Sequence, residues 1–127
     1  MTSLDADNSP IVSSLLEVEP DIADLLQGFI DRLPATIERI RNTLKGQDKD
    51  ELAKQLHDLK GVSGNYGYNI LLELCQKMEL EIHADRLTAL ADMLDHMENL
   101  IDRIRLGLPN YVVPITRSQT KAGKTPS

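Results

Sequence analysis

Aromatic side chains are almost missing from this chain. Tryptophan is absent and aromatics make up only 3% of 127 residues, while apolar residues reach 41%. Leucine and isoleucine must therefore do most of the packing, which favours a helical bundle over a sandwich or barrel. There is one cysteine, Cys75; it excludes an internal disulfide and makes the cytosol the simplest compartment. A basic excess is also missing. The net charge of −6 argues against nucleic acid, whose binding rests on clustered Lys and Arg neutralising phosphates. No apolar run approaches the ~20 residues needed to cross a bilayer, so no membrane contact is expected. The polar, acidic residues 1–9 are the opposite of a signal peptide.

What is present is helical periodicity. Residues 1–9 read as disordered. Ser9-Pro10 has the form of an N-cap with a first-turn proline, opening a short helix with Ile11, Val12, Leu15 and Leu16 turned inward across the end of a bundle. From Pro20 to about residue 45 runs a stripe of Ile22, Leu26, Phe29, Leu33, Ile37, Ile40 and Leu44. Its register passes straight through Pro34, which predicts one kinked helix rather than two. Lys45-Gly46-Gln47 ends it. Asp48, with Glu51 three residues on, has the form of a capping box and opens a third helix to about Asn65 or Tyr66, stopped by Gly67. Two further stripes follow. Leu71, Leu74, Cys75, Met78 and Ile82 define a helix over about 68–84. Leu87, Leu90, Leu94, Met97, Ile101, Ile104 and Leu108 define another over about 86–107. Four long stripes with short connections predict an all-α, antiparallel four-helix bundle with a short extra N-terminal helix. The domain is expected to span 10–108, and residues 109–127, with Arg117, Lys121 and Lys124, to form a flexible tail.

The third helix carries the candidate chemistry. At 100° per residue, Leu52, Leu56, Leu59 and Ser63 form a narrow core-facing stripe. His57 lies well away from it, on the solvent side. Gly61 is one turn further along beside it, and Gly64 a second turn along. Lys60 sits between this strip and the buried face, within reach of the imidazole. A glycine inside a helix costs about 1 kcal/mol relative to alanine, so two in one segment suggest that something must approach the backbone closely. The plain alternative is that Gly61 or Gly64 ends the helix as a C-cap.

His57-x-Leu59-Lys60-Gly61, with Ser63 and with Gly67 ten positions after the histidine, resembles the signature of histidine-containing phosphotransfer (HPt) domains. Leu71, Leu74, Cys75 and Met78-Glu79 look like that family's following helix. The similarity covers about residues 10–108. Gly64 departs from the pattern, since family members carry various residues there. The resemblance implies that His57 accepts a phosphoryl group from a receiver-domain aspartyl phosphate and passes it to a response-regulator aspartate. Lys60 would supply charge near the phosphoryl oxygens; Lys54, Gly61 and Gly64 would shape docking. The implied partners are a response-regulator receiver domain and a hybrid sensor histidine kinase. The protein would need no cofactor of its own, Mg²⁺ being expected in the receiver. A cytoplasmic monomer is expected.

Bland alternatives stand beside this. A lone histidine is ordinarily a surface residue without a role, and His83 and His96 read that way. His96 with Asp92 has i, i+4 spacing, a weak metal signal without further ligands, and no metal site is expected. Glu73, Glu79, Glu81 and Asp85 read as a solvated acidic face, and Cys75 as a core residue. The competing function is a helical interaction module that binds receiver domains without being phosphorylated. An autonomous kinase finds no support, because no Gly-rich phosphate loop is present and the bundle leaves no room for a nucleotide-binding domain.

Overall fold

The computed structural model describes residues 9–109. The segments expected to be disordered or flexible, 1–9 and 109–127, lie outside it apart from Ser9 and Pro109. Four α-helices carry the fold: α1, Ala23–Lys45; α2, Lys49–Asn65; α3, Asn69–His83; and α4, Leu90–Leu106. Three-residue links, 46–48 and 66–68, join α1 to α2 and α2 to α3. Links this short turn consecutive helices antiparallel. Each helix packs on the next, and α4 closes the ring against α1. No strand occurs among the described residues.

The apolar stripes meet in one core. Leu26, Ile30, Leu33, Ile37 and Ile40 from α1 join Leu52, Leu56 and Leu59 from α2, with Leu71, Cys75, Met78, Leu90, Leu94, Met97 and Ile104 completing it. The few aromatics are concentrated rather than scattered. Phe29 stacks on Tyr66 at 4.9 Å and lies 6.2 Å from Tyr68, so they knit the α2–α3 turn to α1. α1 continues through Pro34. Proline lacks the N–H that the Ile30 carbonyl would accept, but both halves bury the same stripe, and that burial outweighs one lost bond.

Caps follow the sequence in the middle of the chain. The Asp48 side chain accepts a hydrogen bond from the Glu51 N–H at 3.1 Å, which fixes the start of α2. Tyr66 closes α2, and Gly67, at φ +79°, is the true stop; Gly61 and Gly64 lie inside the helix.

The N-terminal segment differs from expectation. Residues 9–13 are not helical, and only a 3₁₀ turn, Ser14–Glu17, forms. Its cap is Ser13, whose side chain accepts from the Leu15 N–H at 3.1 Å. Val12, expected to point inward, is exposed. The physical reason is that the segment's polar groups find partners elsewhere. The Ile11 N–H donates to the Arg103 carbonyl at 3.0 Å, and Arg103 Nε donates to the Ser9 carbonyl at 2.9 Å. Ser13 Oγ donates to the Tyr66 carbonyl at 2.6 Å, and the Ser14 N–H to that of Gly67 at 3.1 Å. The segment crosses the bundle end as a strap between α4 and the α2–α3 turn. Both glycines beneath it are required, because a Cβ on Gly107 would strike the Ile11 backbone and one on Gly67 the Ser13 hydroxyl.

Candidate functional site

α2 presents its outer face between α1 and α3. Leu52, Leu56, Leu59 and Ser63 are buried in the core, which turns His57 outward with 73% of its side chain exposed. Lys54 is exposed one turn before it. One turn beyond it, a Cβ added to Gly61 would meet nothing within 4 Å. The surface beside the imidazole is therefore bare at Gly61. Gly64 is different. A Cβ there would lie 2.9 Å from Leu72 Cδ1, the end of a side chain on α3 that would have to shift. The surface is therefore less open at Gly64 than at Gly61.

Glu79 on α3 corrects the reading of a wholly solvated acidic face. Its side chain is only 17% exposed, and Lys60 Nζ lies 2.9 Å from its Oε1. Its other oxygen, Oε2, is 3.8 Å from His57 Nδ1. That is longer than a hydrogen bond, so Glu79 faces the Nδ1 edge of the ring without bonding it. Nε2 is the ring nitrogen turned away from that carboxylate. Lys60, 25% exposed, occupies the edge between the bare strip and the core. Its ammonium is engaged by Glu79 and stays within a side-chain swing of the imidazole. Two of the other acids also find partners: Glu81 pairs with Arg86 at 2.6 Å and Asp85 with Lys49 at 3.0 Å.

Glu79 was missed because its role depends on how α3 registers against α2. A signal was nonetheless present. Glu79 lies seven residues from Leu72 on the same edge of the α3 stripe, whereas Glu73 points directly away from it.

The remaining candidates fall elsewhere. His83 and His96 are exposed. Cys75 is buried, and burial pushes its thiol up to about 12, with a smaller push from Glu79; it is an inert core group. Among the described residues no group of three or more His, Cys, Asp or Glu side chains is placed to hold a metal ion. No helix among them is long and apolar enough to cross a membrane.

The site is thus an exposed histidine on the second helix of a four-helix bundle, faced by a carboxylate and beside a bare turn. The Hpt domain family matches residues 24–107, and the chain belongs to that family of phosphorelay signalling domains. The chain is also similar to the signal transduction histidine-protein kinase BarA of Escherichia coli (strain K12) and of Shigella flexneri. Each is 29% identical over 82 residues, covering 61% of this chain and 9% of the relative. The matched segment thus spans less than a tenth of the length of those kinases. No solved structure gives a significant match.

Proposed function

We propose that this chain is a phosphorelay intermediate in which His57 Nε2 is the phosphoryl acceptor. A phosphorylated receiver domain docks over the Gly61 turn, so that its aspartyl phosphate lies in line with the Nε2 lone pair. The N–P bond forms as the P–O bond to the aspartate breaks, and the carboxylate leaves within the receiver. Glu79, facing the Nδ1 edge, favours the tautomer that leaves Nε2 free to attack and offsets the positive charge that develops on the ring. Lys60 turns from Glu79 toward the phosphoryl oxygens as a point charge. The reverse step delivers the group to a response-regulator aspartate. Mg²⁺ belongs to the receiver, whose aspartate it serves. The donor is a hybrid sensor histidine kinase, and the protein works as a cytoplasmic monomer.

The observation that carries this reading is the exposed imidazole whose Nδ1 faces Glu79, one turn before a Gly61 that leaves open space beside the helix. Nitrogen NMR of the chain after incubation with a phosphorylated receiver domain tests it. The expected product carries phosphorus on Nε2 of His57 and a proton on Nδ1. Phosphorus on Nδ1, or on another histidine, would overturn the assignment.

A further inference from the structure

Next to the His57 face lies a cavity of ≈ 270 Å³ between α1 and α2. It begins where the bare strip ends, since Asp58 and Val62, which line it, directly follow His57 and Gly61 in sequence. Its apolar wall is Phe29, Leu59 and the exposed Val62. Its rim carries Arg32 and Arg39, seven residues apart on one stripe of α1 and therefore about 10 Å apart along the axis. Neither guanidinium pairs with a carboxylate among the described residues; Arg39 only donates to Thr36 Oγ1 at 3.4 Å. By contrast Arg41, on the opposite side of α1, is held by Asp95 at 2.7 Å and Glu98 at 3.2 Å. Gln55 Oε1 is also buried at this cavity with no hydrogen-bond partner.

Unpaired arginines on a chain of net charge −6 mark a place where attraction to an acidic partner is not cancelled internally. An unfilled buried acceptor and an open apolar wall beside them mark a surface completed by something else. We propose that this α1–α2 cleft is the specificity element of the docking face. It receives an apolar side chain of the receiver domain, and Arg32 and Arg39 pair with carboxylates that flank that side chain. Asp58, the one carboxylate lining the cleft, and Gln55 Oε1 accept from donors on the same partner. The inference rests on the phosphorelay reading and adds to it how one receiver is told from another. The charges set encounter and register, and the chemistry at His57 is left to the groups already described.

Charge reversal tests this. Phosphoryl transfer to the wild-type chain and to the Arg32→Glu, Arg39→Glu and double variants is followed against the concentration of a phosphorylated receiver. The receiver is the fastest donor in a panel, and circular dichroism confirms folding. The double variant is expected to raise the apparent KM about tenfold or more at low salt, with kcat nearly retained and the gap narrowing as salt screens the pairing. An unchanged KM in a folded double variant, or a fall confined to kcat, would overturn the proposal and leave the phosphorelay reading standing. Labelling of wild-type His57 by phosphoramidate but by no receiver would instead remove the phosphorelay reading, and this inference with it.

Discussion

Gly61 and Gly64 occupy one helix, three residues apart, yet the space beside them differs. Gly61 faces open surface, so a methyl group there meets nothing. Gly61→Ala should therefore stabilise the fold by about 1 kcal/mol, the helix propensity that glycine forgoes, as read from thermal or urea melts. Gly61→Glu should fold as well as the wild type but lower receiver-dependent transfer by about a hundredfold, since in-line geometry tolerates little displacement. Equal loss of folding and transfer in Gly61→Glu would remove the reason for the bare turn. The contrast with Gly64 was illegible in the sequence, because Leu72 reaches that position only through the packing of α3 on α2. The Lys60–Glu79–His57 set was half legible for the same reason. The two α2 residues share a local spacing, and the third arrives from another helix.

At the scale of elements, the stripes that define α1 to α4 were readable because a buried face must repeat every three or four residues. That one constraint placed each long helix to within a few residues. The strap was not readable. Ser9-Pro10 offers a local helix start, but the bonds that decide its conformation come from Arg103, Tyr66 and Gly67, far along the chain. Helix ends show a related tension. After α1, the left-handed position falls on Gln47, at φ 55°, and not on Gly46. A residue with a Cβ is strained there by about 1 kcal/mol. Gln47→Gly is expected to raise stability by up to about 1 kcal/mol in a denaturant melt. A loss of stability would show that the Gln47 side chain contributes more than its backbone costs.

For the molecule as a whole, the core ties stability to alkaline pH through two buried acids. Burial pushes the Cys75 thiol from 9.0 up to about 12 and the Tyr68 hydroxyl from 10.0 up to about 12. Between those limits the unfolded chain sheds protons that the folded chain retains. The stabilising contribution is therefore complete below pH 9 and lost as pH rises toward 12. From pH 8 to 10.5 the wild type should lose about 2 kcal/mol more than Cys75→Ala does, as measured by urea unfolding at each pH. Parallel losses would mean that the thiol ionises without unfolding.

The bundle holds His57 at its surface and leaves the approach to it clear at Gly61. The most direct test compares phosphoryl transfer from a phosphorylated receiver domain to the wild-type chain and to His57→Gln. Acid-labile, base-stable phosphate is expected on the wild type and none on the variant. Label on both chains would place the acceptor at His83 or His96. Tight receiver binding with no label on either would make the chain a docking module without phosphotransfer and overturn His57 as the acceptor.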